Sequence, residues 1–387
     1  MNLGWKDIRH NPTRFGLTAI GVAFLMTAAI GMTGLYRGIV ADALLIVDTI
    51  GADLWVVQGD RSGPFAESSA LSPTMDRRVE GVPGVAAVRR FVQFSQQYSF
   101  ERQSHRATIT GLDFPQDSGD WIHLIAGRCL ASGHYEAIAD ESTGLAIGDH
   151  VRLGLDLYEI VGATRQMVDS GGDGLIFVSI NDAITIAQRR TSEEVLLARA
   201  AMGGQTPQAG DKSSVSQDSK ISAVLVTLDS AADPARVAAA IKLWGDADVL
   251  SGADQRDLLL NARLWKLRIQ ILAFTVLILL ITCIVVSLII YTMTIEKLHQ
   301  IAMLKLIGAR NSVIVKMIGQ QAGLIGLAGF ALALVMSMVI FPFFPRRIII
   351  DIADAGMLAA VLAAICAIAS GVGIARALKV NAREVLS

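Results

Sequence analysis

Four histidines (His105, His123, His134 and His150) and Cys129 fall in one polar stretch of the 387-residue chain. Imidazole nitrogens and a thiolate are metal and haem ligands, so a haem or metal site drawn from this set is one chemistry to weigh. Their spacings match no metal template, and ordinary surface or strand positions account for them. No G-x-S-x-G elbow and no H-E-x-x-H pair occurs. The nearest approach to a phosphate loop is GGQTPQAGDKSS (203–214), where an Asp precedes the Lys and the glycine spacing is wrong. A phosphate cradle needs backbone amides and a Lys fixed in a strand-to-helix turn, which this small, polar stretch does not offer. The sequence therefore predicts no catalytic, cofactor-binding or metal-ligating residue, and any ATP that drives the protein is hydrolysed on another chain.

The chemistry that remains is in EKLHQIAMLKLIGAR (296–310), which carries Lys297, His299, Lys305 and Arg310 directly after Ile269–Met293, 25 residues without a charge. On a helix, Leu298, Ile301, Ala302 and Lys305 form one stripe. Lys297, Gln300 and Leu304 lie to one side of it, His299 and Leu306 to the other. Gly308 is placed to end the helix, and Asn311 or Ser312 to cap the next one. A Lys within an apolar stripe must snorkel to headgroups or meet an acidic groove on a partner. Two readings stand here: a basic loop that only fixes topology, and a docking helix that pushes on a cytoplasmic partner.

The elements around this stretch are those of a membrane protein. Hydrophobic residues make up 52% of the chain and charged ones 18%, against about 25% charged in soluble domains. A net charge of −1 gives a nucleic-acid partner no support. Cys283 and Cys366 fall in apolar runs, so no disulfide framework or metal knuckle is built from the three cysteines. Four segments suffice to cross about 30 Å of hydrocarbon: 15–36, 269–293, 317–344 and 355–375. The first is too long for a signal-peptide core and is expected to be an uncleaved anchor. No ionisable residue lies inside these spans; Gln270, Gln320 and Gln321 sit near their ends, which disfavours ion-coupled carriage.

Lys and Arg in the short segments set the orientation. Lys6, Arg9 and Arg14, then Lys297, Lys305, Arg310 and Lys316, then Arg376, Lys379 and Arg383 outnumber Arg346 and Arg347, which Asp351 and Asp354 partly balance. Both termini are expected in the cytoplasm, with residues 37–268 outside. That segment is long enough for one or two compact domains. Strand-like runs at 52–58, 106–113, 150–164, 174–180 and 221–229 alternate with helical patterns at 73–82, 181–190 and 233–245. An α+β domain follows, with a flexible loop at 199–220 and a helical stalk at 254–267. The predicted order is a cytoplasmic amphipathic helix (1–14), helix, large domain, helix, coupling segment (294–316), helix, external loop (345–354), helix and cytoplasmic tail (376–387). Trp5, Lys6, Arg9 and Arg14 would hold the first segment on the membrane surface.

The coupling stretch resembles the segment after the second span of the MacB/FtsX family of ABC-transporter permeases (type VII), with its E…I-x-x-L-[RK]-x-[IL]-G-A pattern at Glu296, Ile301, Leu304, Lys305, Ile307, Gly308 and Ala309. NLGWKDIRHNPTRFGLTAIGVAF (2–24) is similar to the family's basic N-terminal helix. GADLWVVQG (51–59) resembles the first external strand of DevC-like members. GVPGVAAVRR (81–90) and GLAIGDHVRLG (144–154) look like elements of the MacB-type domain. ARALKVNAREVL (375–386) resembles the usual tail, with Ala382 where Pro is common. The resemblance implies a homodimer in the inner membrane with two copies of a separate ATPase that holds ATP and Mg²⁺, and no cofactor on this chain. It implies ATPase coupling through Glu296, Lys297, Ile301, Leu304, Lys305, Ile307, Gly308, Ala309 and Arg310. It implies export of an amphipathic or hydrophobic substrate by mechanotransmission, with room for a periplasmic adaptor and an outer-membrane channel. The alternative it leaves open is an FtsX-like mechanotransmitter that regulates an extracytoplasmic enzyme without transport.

Overall fold

The computed structural model describes residues 12–101, 103–188, 220–308, 310–344 and 346–379. The expected surface helix 1–14 with Trp5, Lys6 and Arg9, the Arg14 side chain, nearly all of the loop 199–220, and the tail beyond Lys379 lie outside this set. The chain divides into two units: Val40–Trp265, and the residues before and after it.

The first helix, α1 (Pro12–Thr49), has 38 residues and belongs to both units. The expected span stopped at residue 36 because Arg37, Asp42 and Asp48 break the apolar run. The helical period does not break there. Ile39, Ala43, Ile46 and Val47 are all buried and recur at three- and four-residue spacing. The helix ends where Gly51 takes a φ of +68°, a left-handed position that glycine adopts without a Cβ penalty.

The Val40–Trp265 unit is α+β. Its strands are β1 (Leu54–Gln58), β2 (Val85–Phe100), β3 (Gln103–Leu112), β4 (Leu124–Gly127), β5 (Glu136–Asp140), β6 (His150–Leu153), β7 (Asp156–Thr164), β8 (Gly174–Ser179), β9 (Ala223–Leu228) and β10 (Ala247–Ser251). Helices α2 (Met75–Glu80), α3 (Ile180–Gln188), α4 (Pro234–Lys242) and α5 (Gly252–Asp257) accompany them. The sheet order is β10-β1-β9-β2-β3-β8-β5-β7-β4, with β6 on β7. All pairings are antiparallel except β3 with β8 and β5 with β7. β2 is the seam: Val85–Phe91 pairs with β9 and Val92–Phe100 with β3. The expected strand runs all contain strands, whereas β2, β4, β5 and β10 were not expected. In β2, adjacent polar pairs interrupt the alternation that marks a half-buried strand. Arg89 and Arg90 are nonetheless accommodated. Arg89 donates to Asp117 (2.9 Å) and to the Ile50 carbonyl (2.9 Å), and Arg90 to Asp113 (2.7 Å).

One core of this unit centres on Trp55, Phe65 and Phe91, whose rings meet edge to face at 5.3–5.8 Å. Ile46, Val47 and Ile50 from the end of α1 pack in the same cluster, as does Leu259. The second core lies on the other strand faces, with Ile109, Tyr158, Ile160 and Ile176 buried there. Strand faces alternate along the chain, so a sheet covered on both sides builds two cores.

The other unit contains the first part of α1 with α6 (Trp265–Glu296), α7 (Leu298–Leu306), α8 (Asn311–Ile340) and α9 (Ile352–Lys379). Four of its helices are long and apolar enough to cross a membrane: 15–49, 265–296, 311–343 and 352–375. Val22, Met26 and Ile30 of α1 pack with Val286 and Ile290 of α6, Ile318 and Ile325 of α8, and Leu362 and Ala369 of α9. Glycines set the closest approaches. A Cβ on Gly329 would lie 2.7 Å from Val22, and one on Gly326 2.7 Å from Cys366. Thr27 of α1 donates to the Ala333 carbonyl of α8 (3.3 Å), a packing contact within the chain. Outward, Leu272, Val276, Leu280, Ile284 and Leu288 form an exposed row along α6 at four-residue spacing, as expected of a face that meets lipid.

A pH dependence follows from Glu136 at the start of β5. Arg128 donates to it (2.6 and 3.0 Å), as do the amides of Ala131 (2.8 Å) and Ser132 (3.0 Å). The guanidinium hydrogen bonds, helped by those amides, pull its pKa from 4.5 down to about 2. A carboxylate depressed in the fold contributes its full stability above the unfolded value and loses it as pH falls toward the folded one. Acid titration of unfolding should therefore show a loss between about pH 4.5 and 2 that Glu136→Gln flattens. An unchanged slope in the variant would contradict this.

Candidate functional site

α7 sits between two chain reversals. α6 stops at Glu296, and the Lys297 amide donates back to the Thr294 carbonyl (3.1 Å). The Ile301 amide donates to the Lys297 carbonyl (2.8 Å) and opens the short helix. Thr294 itself is buried, and a Cβ on Gly373 of α9 would stand 2.9 Å from its hydroxyl. The exit of α6 is thus pinned against α9. At the far end, the Ile307 amide reaches the Met303 carbonyl (3.2 Å), and Gly308 turns with φ +90°. Gly308 therefore ends the helix as its position predicted. The expected cap of the next helix is different: Arg310 holds the N-cap position with no side-chain hydrogen bond, and Asn311 is already helical.

The buried edge of α7 is Ile301 and Ala302, 1% and 0% exposed, and Ile301 joins the core of the membrane helices beside Ile290, Ile314 and Ile318. Of the stripe drawn from the sequence, Ile301 and Ala302 are buried and Leu298 is half-buried. Glu296, His299, Gln300 and Arg310 are exposed, and Lys297 is half-buried. Leu304 and Lys305 lie on the helix, but their side chains, and all of Ala309, fall outside the described residues. The large apolar side chains left outside are Met303 (47% exposed), Leu306 (58%) and Ile307 (82%). Met303 and Leu306 were not singled out by the sequence reading. Their signal was the i, i+3 spacing just before a glycine turn.

The second feature is the root of the Val40–Trp265 unit. A capping box of Ser251 and Asp254 starts α5. The chain then widens into a π-helix at Leu258–Arg263, with Leu264 donating to the Leu259 carbonyl (2.9 Å), before α6 begins at Trp265. The expected helical stalk is thus two helices with a π-turn between them, a feature that often marks a functional hinge. Arg256 binds Asp48 at the end of α1 (2.8 Å), Gln255 donates to the Gly63 carbonyl (2.9 Å), and Arg263 donates to the Phe65 carbonyl. The incoming and outgoing chain segments are tied to each other and to one loop.

The candidate metal ligands are scattered. His134 Nδ1 meets buried Asp182 (2.8 Å), His105 stacks on Tyr98 (5.6 Å), and the Cys129 thiol points to the Gly119 carbonyl (3.6 Å). Burial, with Asp120 nearby, raises the Cys129 pKa. Among the described residues no three His, Cys, Asp or Glu side chains cluster to hold a metal. In α9, Ala363 and Ala367 line a cavity of about 370 Å³ with Gly319, Gly323 and Gly326 of α8.

These elements define a class: a polytopic helical membrane protein with a large α+β domain between its first two spans. Residues 15–243 match the profile of the MacB-like periplasmic core domain, and residues 272–382 that of the FtsX-like permease C-terminal region. The chain belongs to the MacB/FtsX family of ABC-transporter permeases. An uncharacterized ABC transporter permease of Mycobacterium tuberculosis is 20% identical over 378 residues, covering 97% of this chain and 96% of the relative. A second from the same species is 22% identical over 347 residues, 90% and 88% of the two chains. Among solved structures, the periplasmic region of MacB from Actinobacillus actinomycetemcomitans aligns at 10% identity and TM-score 0.37, over 55% of this chain and 96% of that one. The extracellular domain of the ABC-type transporter YknZ from Gram-positive bacteria aligns at 16% and 0.33, over 52% and 99%.

Gly308→Val tests the turn that ends α7. A β-branched residue forced to this φ should cost about 1–3 kcal/mol. The expected result is a lower unfolding temperature in detergent and faster proteolysis around 306–311. Wild-type behaviour would show that the left-handed turn is dispensable.

Proposed function

We propose that this chain is the membrane subunit of an ATP-driven exporter, working as a homodimer with two copies of a separate ATPase that carries ATP and Mg²⁺. The observation that carries this reading is the outer face of α7. Met303, Leu306 and Ile307 stand exposed near the basic residues Lys297 and Arg310, at a short helix whose Ile301 is seated in the core of the spans; Lys305 adds a third basic residue in the same stretch of sequence. An apolar knob with a cationic rim suits an acidic-edged groove on a soluble partner. Glu296, Leu304, Gly308 and Ala309 complete the coupling element, with Ile301 as its root.

In this reading both termini and α7 face the cytoplasm, and the Val40–Trp265 unit lies outside the inner membrane. Trp5, Lys6, Arg9 and Arg14 hold the N-terminal segment on the bilayer surface. A push on α7 passes into α6 and on to the π-turned root, where Arg256 and Asp48 make α1 follow. The mycobacterial relatives are uncharacterized ABC transporter permeases, which supports a transport role, and an adaptor with an outer-membrane channel would complete the exporter in a two-membrane envelope. The cargo class is amphipathic or hydrophobic.

A mild-detergent pull-down of the tagged chain with mass spectrometry tests the docking role. The unsubstituted chain should bring down an ATPase, and Leu306→Glu or Ile307→Glu should lose it while the chain itself still elutes at its native size. Equal ATPase recovery in the variants would contradict the assignment.

A further inference from the structure

The segment between α8 and α9 is held firmly from one side. Arg37 of α1 binds Asp351 (2.9 Å) and Asp354 (2.9 Å), so it takes up both of the carboxylates expected to balance Arg346 and Arg347. The Gly34 carbonyl accepts the Ile349 amide (3.1 Å), the Phe341 ring lies over Gly31, and a Cβ on Gly38 would collide with the Arg347 carbonyl. Three glycines at positions 31, 34 and 38 thus give one face of α1 the depth to seat this backbone.

The other side presents large apolar groups. Phe343 is 86% exposed and Ile352 90%, with Phe344 and Ile350 also exposed. Phe343 and Ile352 are the facing end residues of two helices apolar enough to cross the membrane. Arg347 is exposed between them, and no ion pair to it occurs among the described residues. Aromatic rings beside an unbalanced guanidinium match the boundary where acyl chains meet phosphates. The patch is continuous with surfaces that already face hydrocarbon, which argues for lipid as its occupant over a soluble protein. We propose that this segment binds anionic lipid at the interface on the domain side of the bilayer, with Phe343, Phe344 and Ile352 in the acyl–headgroup boundary and Arg347 on the lipid phosphate. Through Arg37, Gly34 and Gly38, the bound lipid is held in register with α1.

Tryptophan at the exposed positions tests this in the full chain, reconstituted in bilayer discs. Phe343→Trp and Ile352→Trp add emission that is isolated by subtracting the signal of the unsubstituted chain. Lipid brominated near the ester carbonyls should quench the added emission several-fold. Lipid brominated near the chain ends should quench it less, and aqueous iodide least. Any other order overturns the interfacial placement, including quenching by iodide alone or by none of the three. In discs containing phosphatidylglycerol, native mass spectrometry should show several-fold less of that lipid retained by Arg347→Gln. Equal retention overturns the phosphate contact.

Discussion

An unbroken backbone hydrogen-bond ladder runs through α1 from Pro12 to Thr49, and the rest of the structure depends on it. In hydrocarbon an unpaired amide costs several kcal/mol, so a spanning segment must be helical. The same ladder continues past the apolar stretch, so α1 contributes residues to both units. Its final turns are buried with Trp55, Phe65 and Phe91. Its middle is gripped by Arg37 and by glycines against the segment between α8 and α9. The contrasting element is the outgoing stalk, where the π-turn at Leu258–Arg263 interrupts the α-helical ladder before α6. Arg256, just before that turn, binds Asp48 at the end of α1.

Much of this was legible in the sequence. The four apolar runs and the α+β alternation rest on periodicities that tertiary context seldom overrides. The glycine turn at 308 was legible because a left-handed position leaves few residues to choose from. The end of α1 was missed because charge was taken as the end of a helix, when Arg37, Asp42 and Asp48 only end the apolar surface. β2 was missed because Arg89 and Arg90 look like a loop until their partners Asp113 and Asp117, over 20 residues away, are in place. A strand whose polar residues are satisfied from a distance carries no local signal.

At the candidate site the limit was direction. Period alone identified one stripe on α7, and nothing local says whether a stripe faces a protein core or a partner. The burial of Ile301 and Ala302 settles that edge and leaves Met303, Leu306 and Ile307 as the surface on offer. Similarly, Asp351 and Asp354 seemed from sequence to balance Arg346 and Arg347, but pair with Arg37, more than 300 residues earlier. Local charge counting therefore missed the distant partner of these two carboxylates.

The central claim is that nucleotide-driven motion at α7 reaches the external domain. The most direct measurement is the spin-label distance between the two copies at Leu243, an exposed position on the external unit, with the native cysteines replaced and the ATPase bound. Trapping the ATPase with ATP and vanadate should shift that distance distribution, and Ile307→Glu should abolish the shift. An unchanged distribution in a complex that hydrolyses ATP would contradict the account.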